Sequence, residues 1–70
     1  MSDRYDRLVA ALDSEWRPTV ELKERARIEG YVRMSSVYHS LNMAVKYRMA
    51  EKRVVIIGKG ARVAEWRRVA

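Results

Sequence analysis

The stretch "VVIIGKGARVAEW", Val54 to Trp66, is compatible with two folds and with few others. A β-branched run entering Gly-x-Gly is how a strand approaches the phosphate loop of a dinucleotide site. A strand, a glycine turn and a second strand ending in an aromatic is the plan of a β-hairpin. The nucleotide reading fails on context. The position that must hold a third Gly or Ala is Val63, and only ten residues follow Gly60. They leave no room for the helix and the distant acid that this fingerprint requires. No Gly-x-x-x-x-Gly-Lys-Ser/Thr occurs either. The hairpin stands, with "RVVII" and "RVAEWR" as strands and "GKGA" as the turn, its loop holding two or four residues. Neither a cofactor nor a small-molecule ligand is expected.

A chain of 70 residues makes one domain, 1–70, whose core must use most of its apolar side chains. There is no cysteine, so neither a disulfide nor a thiolate metal site can reinforce it, and a reducing compartment fits. With His39 the single histidine, a multi-histidine zinc site is also excluded. The longest stretch without charge, Met34 to Val45, has twelve residues against the roughly 18 of a spanning helix. The opening "MSDRYDRL" has acids where a signal peptide is basic and then apolar. No membrane association and a cytoplasmic location are expected.

Charge points to a partner. Fifteen Lys and Arg against nine Asp and Glu give +6, distributed unevenly. Residues 1–16 carry a net of −2 and residues 17–70 a net of +8. A basic body of that density suits an anionic partner, with nucleic acid the first candidate. Plain solubility is the other explanation for such a charge.

Three helices precede the hairpin. "SDRYDRLVAALDSEW" places Tyr5, Leu8, Val9, Leu12 and Trp16 on one apolar stripe, and Pro18 ends it. "TVELKERARIEG" is a shorter helix with Thr19 as N-cap and Gly30 at its C-terminal cap. "SSVYHSLNMAVKYRMAEK" is the third, capped by Ser35 or Ser36 and continuing towards Met49. Val37, Leu41, Ala44 and Val45 lie on its apolar side, with Met34 and Tyr38 at the margin. The opposite side carries Ser36, His39, Ser40, Met43, Lys46 and Tyr47, flanked by Ser35 and Asn42. Short hydroxyls and an imidazole make an outward face unlike an ordinary Glu- and Lys-rich one.

From "TVELKERA" through "RMSSVYHSL" to "RVVIIGKGARVAEW", the chain resembles the winged helix-turn-helix DNA-binding domain. These stretches look like that family's second helix, its turn into the recognition helix, and its wing. The likeness covers Thr19 to Arg67, 49 of 70 positions, and "YDRLVAAL" fits a first helix more loosely. Two features depart from the pattern: a longer turn before the third helix, and no Gly between that helix and the strand. The resemblance implies an α+β fold, a three-helix domain with a C-terminal hairpin wing. It further implies double-stranded DNA as partner, with the third helix in the major groove. Base-reading candidates are then Arg33, Ser35, Ser36, His39, Ser40, Asn42 and Met43. Phosphate and wing contacts are Arg17, Thr19, Lys23, Lys46, Lys59 and Arg62.

Each assignment has a plainer counterpart. His39 also fits a solvated surface, Asn42 a local backbone bond, and Lys59 a solubilising turn. Tyr38 and Trp66 are expected in the core, because a domain without Phe needs its aromatics inside. One histidine with no nucleophile-and-acid partners gives no basis for catalysis, so no enzyme activity is expected. The functional expectation is a small cytoplasmic DNA-binding protein, a transcriptional regulator or a phage- or plasmid-type control factor. The alternatives are a winged-helix protein-interaction module and an RNA-binding version of the fold. The acidic first helix, with Tyr5 and Trp16, offers a surface for such contact or for a homodimer.

Overall fold

The computed structural model describes residues 3–69. The elements run α1 (Asp3–Ala11), β1 (Arg17–Pro18), α2 (Thr19–Arg25), α3 (Met34–Lys46), β2 (Ala50–Ile57) and β3 (Ala61–Arg68). This is an α+β architecture of three helices and one antiparallel three-stranded sheet, ordered β1-β3-β2. Ser2, where the predicted first helix begins, lies outside the described residues.

α1 stops well short of Trp16. Asp13 ends it locally: its Oδ1 accepts the Glu15 amide at 3.0 Å, a side-chain turn that competes with helix. Trp16 therefore leaves the apolar stripe and lies across the outer face of the sheet. There its ring sits 4.6 Å from the Arg53 guanidinium and 4.4 Å from that of Arg67. Those arginines pair in turn with Glu65 and Glu51, each at 2.7 Å. Arg17 and Pro18, not expected to form a strand, make a third one by pairing with Trp66 and Glu65.

Asp13 is also the hub of an ion-pair cluster. Arg17 bonds its carboxylate at 2.6 Å and reaches Glu21 at 2.5 Å, and Arg25 approaches it at 3.4 Å. The Arg17 hydrogen bond leads the causes that hold the Asp13 carboxyl at about 2, below its ordinary 3.8. The Glu15 amide and the charges of Arg17 and Arg25 assist, against partial desolvation. A carboxyl depressed in the folded state stabilises above its unfolded value and loses that contribution as pH falls through the folded one. The melting temperature of Asp13→Asn should therefore lie below the parent's at pH 6. The gap should close between about pH 4 and pH 2. Parallel melting profiles across that range would remove Asp13 from the anchoring role.

Both loop-ward helix ends depart from the glycine rule in the same way. α2 ends at Arg25, not Gly30, and Arg27 takes the left-handed conformation at φ 55°. The Arg27 amide then bonds the Glu24 carbonyl and the Ile28 amide bonds that of Lys23. α3 ends at Lys46 with Arg48 at φ 60°, its amide on the Val45 carbonyl and that of Met49 on Ala44. Each is a Schellman motif with arginine where glycine is usual, at a cost of roughly 1–2 kcal/mol per left-handed residue. Burial of Ile28 just beyond the first end offsets part of it. Arg7 of α1 adds hydrogen bonds to the Ala26 and Arg27 carbonyls.

The core gathers Leu8, Ala11 and Leu12 with Leu22, Ile28 and Val32, and with Val37, Leu41 and Ala44 of α3. Trp66, 0% exposed, closes it from the sheet beside Ala64. Its indole N–H donates to Thr19 Oγ1 at 2.8 Å, and its ring meets Tyr38 of α3 at 6.2 Å, tilted by 59°. Tyr38 itself is not interior: it stays 36% exposed at the rim. In the hairpin, Ile57 opposite Ala61 leaves a three-residue loop, Gly58-Lys59-Gly60, rather than two or four. Both glycines take positive φ, 51° and 87°, which puts Lys59 at the exposed tip as expected.

Candidate nucleic-acid interface

Sorting the cations by partner divides the surface. Arg7, Arg17, Arg25, Arg53 and Arg67 are held by carboxylates on α1, α2, the loops that follow them and the outer face of the sheet. Among the described residues the other ten have no such partner: Arg4, Lys23, Arg27 and Arg68 are scattered, and the remaining six are Arg33, Lys46, Arg48, Lys52, Lys59 and Arg62. These six belong to α3, its two flanks and the hairpin. The strand register explains the hairpin's share. Side chains alternate across a sheet, and Lys52 pairs with Trp66 while Ile56 pairs with Arg62. Lys52 and Arg62 thus fall on the inner face with Trp66 and Ala64. Glu51 and Glu65 fall on the outer one, where Arg67 and Arg53 neutralise them. The inner face keeps its positive charge. Lys52 Nζ stands 5.2 Å from the centroid of the buried Trp66 ring.

α3 presents Ser35, Tyr38, His39, Asn42 and Lys46 to solvent. That face is turned by roughly a quarter of a circle from the expected one. α1 causes the difference: it packs against the flank of α3 that carries Ser36, Ser40 and Met43. Ser40 is corrected first, since it is 8% exposed and is no base-reading residue. Ser36 and Met43 are half-buried in a groove beside α1, at the edge of the open face. Arg33, Ser35, His39 and Asn42 are exposed as expected, and so are Lys46, Lys59 and Arg62.

Three of the expected phosphate contacts have other work. Thr19 is buried and its hydroxyl accepts from Trp66 while facing the Ala64 carbonyl at 3.4 Å. It is a helix residue rather than a side-chain cap, and Pro18 precedes it in extended geometry. Arg17 is occupied by Asp13 and Glu21, which hold its guanidinium protonated far above any working pH. Lys23 reaches back to the Val32 carbonyl at 2.8 Å and so ties the loop before α3 to α2. Sequence reasoning missed Tyr38, Arg48 and Lys52 on the open side. It also missed the exposed aliphatics of the hairpin, Val54, Ile56 and Ile57. The alternation of Lys52, Val54 and Ile56 was a usable signal for the inner face once the register was known.

No helix among the described residues is long and apolar enough to cross a membrane. Comparison with protein-family models, with curated proteins and with solved structures finds no match.

Proposed function

We propose that this chain is a winged-helix DNA-binding protein, a small cytoplasmic transcriptional regulator or a phage- or plasmid-type control factor. The observation that carries the reading is the band of six unpartnered cations on α3, its flanks and the inner face and tip of the hairpin. The element order supports it: a short strand between the first two helices pairs with the hairpin that follows α3. α3 lies in the major groove, with Ser35, His39 and Asn42 toward base edges and Arg33 at its entrance. Lys46, Arg48, Lys52, Lys59 and Arg62 hold the flanking phosphates, and the hairpin tip meets the backbone or minor groove. The reading assigns no catalytic group.

A second reading has its own observation. Val54, Ile56 and Ile57 are large aliphatics standing in solvent on the hairpin, Ile56 at 67% exposure, and would suit a protein-interaction module. Titration with random duplex DNA separates the two. A DNA binder should associate at about 50 mM salt and weaken steeply as salt rises. No association there would transfer the proposal to the interaction module. Within the DNA reading, His39→Ala and Asn42→Ala should each cost roughly 1–3 kcal/mol of discrimination and leave random-sequence affinity nearly intact. Equal weakening on every duplex would reassign the residue to backbone positioning.

A further inference from the structure

The packing of α1 on α3 leaves a groove of about 490 Å3, a volume in the range of small-molecule sites. Its walls are soft and aromatic: Tyr5 from α1, with Met43, Tyr47 and His39 from the α3 side. Arg4 also lines it, in no ion pair within 4 Å among the described residues though near enough to help hold the Glu29 carboxyl down, and no Asp or Glu lines the groove. Ser40 lines the groove from α3 and is more than nine-tenths buried. Among the described residues no buried side-chain polar atom is left without a hydrogen-bond partner, and the Ser40 hydroxyl belongs to the groove's lining.

We infer that this groove binds a small planar aromatic monoanion. The ring lies between Tyr5 and Tyr47 against the Met43 thioether, which favours aromatic contacts. The anionic group accepts hydrogen bonds from the Arg4 guanidinium and the Ser40 hydroxyl. A cationic ligand of the same shape meets Arg4 and is refused. The site stands on the groove alone. Its consequence for DNA rests on the proposed reading: His39 belongs to both surfaces, so ligand and DNA exclude one another.

The probe is 2-naphthoate, titrated into the full chain and followed by amide chemical shifts, with 2-naphthamide and 2-naphthylmethylammonium as neutral and cationic controls. Saturable shifts are expected around Tyr5, Ser40 and Tyr47, with affinity falling about tenfold in Arg4→Gln, in Tyr47→Ala and for the neutral probe. The cation should not bind. Lys59→Ala, at the hairpin tip, should bind 2-naphthoate like the parent. Shifts that never saturate, equal affinity for all three probes, or unchanged affinity in both groove variants would overturn the site. In the DNA arm, saturating 2-naphthoate should release a bound random duplex from the parent but not from Arg4→Gln. Probe binding without release would overturn the exclusion and leave the site standing. A chain that binds the probe and no DNA at all rejects the DNA reading, not the groove.

Discussion

Trp66→Ala is expected to cost on the order of 3–5 kcal/mol, comparable with the whole stability of so small a domain. The residue is fully enclosed, meets Tyr38 at a tilt and closes the core between the sheet and α3. Its removal opens a cavity that rigid strands on one side and α3 on the other cannot both collapse into. It also strips Thr19 of the donor that fixes the start of α2. Trp66→Phe separates the two effects, because it keeps most of the volume and loses only the indole N–H. That variant should lose roughly 1–3 kcal/mol, the cost of leaving a buried hydroxyl short of a partner. Urea unfolding followed by far-ultraviolet circular dichroism reads both. A Trp66→Ala protein with the parent's midpoint would mean that the hairpin docks on the helices without it.

Lys46→Ala, Lys59→Ala and Arg62→Ala should each change stability by no more than about 0.5 kcal/mol, so the combined variant stays folded, since all three side chains are exposed and unpaired. The same triple variant should bind every DNA sequence more weakly. Each phosphate contact releases about 0.9 counterion, so the log–log slope of affinity against salt should become shallower by nearly three. Fluorescence anisotropy on one specific and one random duplex, between 50 and 200 mM salt, measures it. A slope unchanged from the parent would place these cations away from the DNA and withdraw the hairpin and the end of α3 as contacts. Loss confined to one sequence would instead make them base-reading groups.

The chain's own pattern carried the element order a long way. Two apolar periodicities, a stretch between them marked by its caps and a glycine turn predicted three helices and a terminal hairpin, and the structure has them. Lys59 at the tip and Trp66 in the core follow from local chemistry: two glycines at positive φ, and a small domain short of aromatics. Where helices end was not legible in the same way. Glycine is the usual residue at such ends, whereas Arg27 and Arg48 occupy the left-handed positions here. Their strain is offset by bonds to Lys23, Glu24, Ala44 and Val45 and by reach from Arg7, none of which a helix-cap rule contains. The two-residue β1 had no signal of its own, because so short a strand exists only through its partner β3.

The candidate surface divides along the same line. Composition and charge placed a surplus of cations after residue 16, and helical spacing put His39, Asn42 and Lys46 away from the apolar side of α3. Which cations are free was decided by tertiary neighbours. Arg17 and Lys23 looked as available as Lys46 until Asp13, Glu21 and the Val32 carbonyl came within reach. Ser40 sits on the polar side of an isolated α3 and is buried because α1 covers that flank. A helix has one pattern of residues but two flanks. The sequence by itself determined the elements and the sign of the surface, through local propensity and net charge. Tertiary packing decided which polar groups remain open to a partner, because burial and pairing depend on residues far away in the chain.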